Sequence, residues 1–100
     1  MFGLIGKIVA LPGQRDALVS ILLEGSAKMP GCRSYVVARD PKAPDAIWVT
    51  EVWDSQESHR ASLALPSVQA AIAQGKPLIQ EFAEYHATEP VGGVGLFAVD

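Results

Sequence analysis

The order in which strand-like and helix-like segments follow one another most constrains how this chain can fold. Pro12-Gly13, Pro30-Gly31 and Pro66 interrupt its apolar runs, as residues of turns and helix ends do. Strand-like patterns of apolar and aromatic side chains occur over residues 2–11, 32–40, 46–53 and 81–88. Helices are predicted over residues 14–28, 55–63 and 67–74.

These segments predict an α+β fold of the ferredoxin-like type. Their order is β-α-β-β-α-β, with the second helix broken at Pro66, and it forms a four-stranded antiparallel sheet with helices on one face. The other sheet face would expose a large apolar surface, so we expect a second copy to cover it in a homodimer. The predicted domain spans residues 1–88. The tail, residues 89–100, is too apolar to lie free in solvent and is expected to pack on the dimer through Val94, Leu96, Phe97 and Val99.

Charge and composition argue against several classes of protein. The net charge is −3, and no cluster of Lys or Arg supplies the basic surface that nucleic-acid binding needs. No apolar run reaches the roughly 18 residues of a membrane span, and the first residues lack the basic start and cleavage site of a signal peptide. Cys32 is the single cysteine, so no internal disulfide can form, as expected in the cytoplasm.

The run Glu51-Val52-Trp53 is the most informative local motif. On a strand, this spacing places Glu51 and Trp53 on the same face. The following residues predict a helix start, with Asp54 as the cap and Glu57 reaching back as in a capping box. A carboxylate, an indole and a helix start so close together could frame a pocket for an aromatic molecule. The alternative is that Trp53 is a core anchor.

Three runs together resemble one protein family in their order and spacing: Gly31-Cys32-Arg33-Ser34-Tyr35, Glu51-Val52-Trp53-Asp54-Ser55 and Leu65-Pro66-Ser67-Val68. Over residues 2–88 the chain resembles the antibiotic biosynthesis monooxygenases, especially their small quinol-monooxygenase-like members. The resemblance implies a dimeric α+β barrel. For some members it also implies oxidation of polycyclic or dihydroxy aromatics by O2 without metal, flavin or other cofactor. Related members degrade haem, and others have no known activity, so the likeness alone does not establish catalysis.

The chain departs from the family pattern at three positions. Many members carry a His nine residues after the Trp, where this chain has Ser62, although His59 lies nearly one helical turn earlier. The haem-degrading members carry an Asn where this chain has Gly6 and a haem-ligating His where it has Ile72. Haem degradation is therefore not expected, and no cofactor is predicted.

Oxidation of a phenol by O2 needs an apolar slot and a base that takes the phenolic proton. A base works best with a pKa near the operating pH, which favours a His or a Glu raised by burial. We therefore consider His59 first and Glu51 second as catalytic residues, although His59 could simply be exposed and Glu51 a structural acceptor. Candidate substrate contacts are Trp53, Tyr35, Ser62, Phe82 and His86. No metal site is predicted, because the His and Cys residues lack the spacing of ligands.

The leading hypothesis is a dimeric, cofactor-independent monooxygenase acting on a quinol or phenolic polycyclic aromatic. One alternative is a non-catalytic small-ligand-binding or stress-related dimer on the same fold, and an isomerase or lyase is another. The cavity is expected between the sheet and the broken second helix. Its wall is expected to include Trp53 and residues 55–65.

Overall fold

Four strands and three helices make up residues 1–96, the part of the chain that the computed structural model describes. The strands are β1 (Phe2–Ala10), β2 (Cys32–Arg39), β3 (Ala46–Trp53) and β4 (Ile79–Thr88). The helices are α1 (Arg15–Gly25), α2 (Gln56–Ser62) and α3 (Pro66–Gly75), and a short 3₁₀ helix follows at Lys76–Leu78. This order confirms the predicted ferredoxin-like α+β fold.

The four strands form one antiparallel sheet in the order β2-β3-β1-β4. Ile8 on β1 lies opposite Ile47 on β3, and both are buried in one core cluster with Leu18 of α1. The face that carries these side chains is therefore the face that the helices cover. In the same register Tyr35 on β2 lies opposite Glu51 on β3, so these two residues also point towards the helix layer.

The second helical region begins one residue later than the sequence suggested. Ser55 is the cap of α2, and its Oγ accepts a hydrogen bond from the backbone N–H of Ser58 at 3.1 Å. The prediction of Asp54 as the cap is wrong, because that carboxylate pairs with the guanidinium of Arg33 instead. Pro66 opens α3 at its first turn, where a proline needs no N–H partner.

Helices α1 and α3 approach each other closely at Gly25, the last residue of α1. A Cβ atom added to Gly25 would lie 2.5 Å from the Cβ of Ala71 on α3, far inside normal contact distance. Gly25 is buried at this crossing. The two helices therefore pack together with only the methyl group of Ala71 between them at this point.

Replacing Gly25 by Ala should destabilise the protein by about 1–3 kcal/mol, because the added methyl group has to push α1 and α3 apart. Helix propensity alone would favour Ala over Gly by roughly 1 kcal/mol, so the sign of the change separates the two effects. Urea unfolding followed by circular dichroism measures it. The double variant Gly25→Ala/Ala71→Gly should recover most of the loss, and a stabilised single variant would contradict the close packing.

The chain after β4 turns back over the sheet face that carries no helices. A Cβ atom on Gly3 of β1 would lie 2.9 Å from Cγ of Pro90, and the carbonyl of Leu96 accepts a hydrogen bond from Nη1 of Arg33 at 3.2 Å. The segment therefore crosses from β4 over β1 to the end of β2. Of the tail residues expected to pack, Val94 is fully exposed within this one chain, and Phe97 and Val99 lie outside the described residues.

No helix within residues 1–96 is long and apolar enough to cross a membrane.

Candidate functional site

Glu51 and Trp53 form a hydrogen-bonded pair at the end of β3. The indole Nε1–H of Trp53 donates to Oε1 of Glu51 at 2.9 Å. The indole is almost completely buried, with 1% of its surface exposed, whereas Glu51 is half-buried. The pair lies on the helix-facing side of the sheet because residues two apart on a strand share a face. Trp53 is therefore both a core anchor and a donor to the carboxylate.

His59 on α2 packs against the same indole. Its ring centroid lies 5.4 Å from that of Trp53 in an edge-to-face arrangement and 5.7 Å from that of Phe2. Such geometries are favourable for aromatic pairs. Ser62, one turn later and 4% exposed, donates its hydroxyl to the backbone carbonyl of His59 at 2.6 Å. His59 is therefore half-buried at the sheet end rather than exposed on its helix.

Burial alters the acid–base properties of this corner of the sheet. It raises the pKa of Glu51 from its ordinary value, while the hydrogen bond from Trp53 and the nearby His59 partly oppose the rise. It also raises the pKa of Tyr35, to which the negative charge of Glu51 adds. The pKa of the Cys32 thiol is raised mainly by burial. The corner thus holds a carboxyl group with a raised pKa opposite a tyrosine hydroxyl that keeps its proton.

An apolar cavity of about 390 Å³ lies between α1, α3 and the helix-facing side of the sheet. This volume is within the range of roughly 300–1,000 Å³ that small-molecule sites occupy. The sheet and helices line it mainly with apolar and aromatic side chains, which include Ile8, Leu18, Leu22, Tyr35, Ile79 and Phe82. Tyr35 is the one cavity-lining residue that directly faces Glu51 across the strands. The cavity and the polar corner therefore meet at Tyr35.

The cavity differs from the expected one in its helical wall. The segment after Pro66, α3, lines it as expected, but Trp53 and the residues of α2 do not, and α1 supplies the rest of the helical wall. The expectation for Trp53 and α2 failed because α2 packs over the end of β3, where its His59 contacts Trp53, whereas α3 packs against α1. The interruption at Pro66 thus separates a helix at the polar corner from a helix over the cavity.

The seven candidate residues fall into three places. His59, Glu51, Trp53 and Ser62 are at the polar corner, and Tyr35 and Phe82 line the cavity. Phe82 is 70% exposed and lies at the mouth of the cavity. His86 is exposed on the opposite sheet face, where it pairs with Glu84 at 3.2 Å, so the structure does not bring it to the others.

Sequence reasoning missed Lys76 as a cavity-lining residue. It follows Val68 and Ile72 at spacings of four residues on one side of the third helical region, and all three line the cavity. That periodicity was the available signal. Within residues 1–96, no group of three or more His, Cys, Asp or Glu side chains is arranged to hold a metal ion.

Comparison with known proteins identifies the family. The family model for antibiotic biosynthesis monooxygenase matches residues 1–74 of this chain. The chain belongs to the antibiotic biosynthesis monooxygenase family. No protein with a curated description matches the chain. Membership in this family supports a monooxygenase-type function in general terms and confirms the resemblance carried by the three sequence runs.

Three solved structures that bear the name "putative antibiotic biosynthesis monooxygenase" are similar to this family member along nearly their whole length. The one from Chloroflexus aurantiacus J-10-fl is 69% identical, with 95% of this chain and 97% of that chain covered and a TM-score of 0.94. The one from Deinococcus radiodurans is 26% identical, with 94% and 96% covered and a TM-score of 0.76. The one from Caulobacter crescentus CB15 is 18% identical, with 91% and 90% covered and a TM-score of 0.82, and shows the shared fold alone.

Proposed function

We propose that this protein is a cofactor-independent monooxygenase that oxidises a phenolic or quinol-type aromatic with O2 inside the cavity. The observation that carries the proposal is the meeting of the apolar cavity with Tyr35, directly opposite the half-buried Glu51. An apolar wall suits an aromatic ring, and few polar groups are needed to orient it. The family assignment supports oxygen chemistry at such a site.

Glu51 is the proposed base, and Tyr35 is the proposed contact that orients the phenolic oxygen. A carboxylate whose pKa is raised by burial is a stronger base than an exposed one, which suits it to take a phenolic proton. Tyr35 keeps its own proton because its pKa is also raised, so its hydroxyl can donate a hydrogen bond to the developing phenolate. His59, first in the sequence ranking, lies against Trp53 outside the cavity wall, and we propose that it stabilises the charge of Glu51.

The reaction converts a ring C–H group into a carbonyl. Loss of the phenolic proton to Glu51 gives an electron-rich phenolate, which passes one electron to O2. The superoxide and the organic radical then combine at a ring carbon to form a hydroperoxide. Cleavage of its O–O bond with loss of the ring hydrogen leaves one oxygen atom in the quinone and releases the other as water. Phenol plus O2 therefore gives quinone plus water, and the substrate supplies all the electrons.

One observation favours the alternative of a non-catalytic small-ligand-binding protein. Among the described residues that line the cavity there is neither a histidine nor a carboxylate. Glu51 would therefore have to act from behind Tyr35, at the edge of the site. If the cavity only binds, an apolar wall with one tyrosine hydroxyl is sufficient to hold an aromatic ligand.

Oxygen uptake separates the two functions. The wild-type protein is incubated with a panel of naphthoquinols and anthrone-type phenols while an oxygen electrode records consumption, and the products are identified by mass spectrometry. Incorporation of one atom from ¹⁸O-labelled O2 into the product supports the monooxygenase. Saturable binding of these compounds without oxygen uptake above the protein-free rate would favour the binding protein.

We also propose that the protein functions as a homodimer formed through the helix-free sheet face. On that face Val36 is 53% exposed, and Val91 and Val94 of the crossing segment are 96% and 104% exposed in a single chain. Light scattering at micromolar concentration should report a dimer, with more than about 1,200 Å² of total buried surface in a crystal structure. Val36→Glu should shift the protein towards monomer, whereas Leu23→Glu on the helix layer, also exposed at 52%, should not. A wild-type monomer would refute this assembly.

A further inference from the structure

We propose that the cavity takes an elongated aromatic anion, whose negative group is held by Lys76 at the mouth. This inference deepens the proposed function and rests on it for the assignment of the cavity as the substrate site. It concerns the chemical class of the ligand and not the oxidation itself.

The position of Lys76 supports this role. Lys76 has helical backbone angles, φ −51° and ψ −44°, so it continues the spacing of Val68 and Ile72 by one further turn. The cavity-facing side of the third helical region is therefore apolar for two turns and ends at Lys76. Ile72, one turn before Lys76, is 51% exposed, which places this end of the stripe at the opening of the cavity to solvent.

The charge of Lys76 is not used elsewhere in the described part of the chain. Its ammonium forms no hydrogen bond or ion pair within residues 1–96, whereas Lys7 pairs with Asp40. No other charged side chain lines the cavity among these residues. An anion at this position would gain the attraction of one cation, screened by solvent because Lys76 is exposed.

The positions of Tyr35 and Phe82 indicate how an elongated ligand would lie across the sheet. Tyr35 lies on β2 and Phe82 on β4, the two edge strands of the sheet, and both line the cavity. Neighbouring strands are about 4.8 Å apart, so the two edges are separated by roughly 14 Å. A fused aromatic with its phenol at Tyr35 would extend towards Phe82 and place a substituent on its far ring near Lys76. The structure thus favours a carboxylate or sulfonate at the end opposite the phenol.

Two fluorescent probes with the same rings test the inference. Anilinonaphthalene sulfonate is an anion, and its parent phenylnaphthylamine is uncharged. Both should bind the wild type in the cavity, and Ile72→Trp, which fills the mouth, should weaken both. Lys76→Gln should weaken the sulfonate about three- to tenfold and leave the uncharged probe within twofold. Lys42→Gln, in the exposed β2–β3 turn, is the matched control and should change neither.

The dependence of probe affinity on salt concentration provides a second test of the role of Lys76. Affinity of the wild type for the sulfonate should fall as ionic strength rises, and Lys76→Gln should lose most of this dependence. Equal affinity of the wild type and Lys76→Gln for the sulfonate, with both variants folded by circular dichroism, would overturn the inference. These titrations need no O2, so the anion preference can hold even if no substrate is oxidised. Oxidation of a quinol that carries a carboxylate or sulfonate, with unchanged kinetics in Lys76→Gln, would uphold the proposed function and overturn this inference.

Discussion

Replacing Glu51 by Gln should lower oxygen uptake with a phenolic substrate by about 10²–10⁴-fold, the usual contribution of a positioned general base. The amide oxygen can still accept the hydrogen bond from Trp53 Nε1, so the fold and the cavity should survive. What is lost is the ability to take a proton. Single-turnover and steady-state rates in an oxygen electrode measure the effect. Glu57→Gln, an exposed carboxylate in the first turn of α2, is the matched control and should keep full activity.

The pH dependence of oxygen uptake identifies the residue that acts as the base. A base acts when deprotonated, so the activity of the wild type should fall as the pH drops through the raised pKa of Glu51. The residual activity of Glu51→Gln should lack this limb. His59→Ala should cause a smaller loss than Glu51→Gln. If His59→Ala instead carries the full 10²–10⁴-fold loss, then His59 is the base.

The stability of the folded protein should change with pH in the direction opposite to the activity. Because the pKa of Glu51 is raised in the folded protein, the folded state favours its neutral form and loses stability as the pH rises through that pKa. Glu51→Gln removes the charge and should therefore raise the melting temperature at neutral pH, with a smaller gain in acid. A site that is more stable without its base is a common signature of function.

Replacing Trp53 by Ala should destabilise the protein by about 3–5 kcal/mol, a large part of the stability of a domain of this size. The indole is 1% exposed, closes the end of the sheet and packs against His59. Its loss leaves a cavity and an unpaired Glu51 carboxylate. Urea unfolding followed by far-ultraviolet circular dichroism measures the change.

Trp53→Phe separates packing from hydrogen bonding. It keeps an aromatic ring in the core but removes the Nε1 donor, so the loss should be about 1–3 kcal/mol and the pKa of Glu51 should rise further. A loss below about 1 kcal/mol for Trp53→Ala would mean that the corner can collapse around the missing ring.

The element order could be predicted from the sequence because turns and helix breaks are encoded locally. Pro12-Gly13 and Pro30-Gly31 flank α1, and the strand at 46–53 was predicted with its observed ends. The start of β4 was less accessible, since Leu78 and Ile79 fit both a helical turn and a strand. The structure begins the strand at Ile79, two residues before the predicted start, because pairing with Ala10 of β1 outweighs the local pattern.

The candidate site was predictable only where it is local in sequence. The shared face of Glu51 and Trp53 follows from the alternation of side chains along a strand, and the structure confirms it. The cavity wall depends on which helix crosses which, and this is decided by long-range packing at Gly25 and Ala71. A pattern of single residues cannot contain that information, so Trp53 and α2 were expected in the wall beside α3, where the structure has α1.

The close contact between Gly25 and Ala71 separates the two tasks of the molecule. The helix pair that meets there forms the roof of the cavity, whereas the proposed proton-handling groups lie on the sheet floor. A larger or smaller residue at the helix crossing would raise or lower the roof without moving Glu51 or Tyr35. Such an arrangement would let the size of the admitted molecule change through the helix crossing while the proposed reaction centre keeps its geometry.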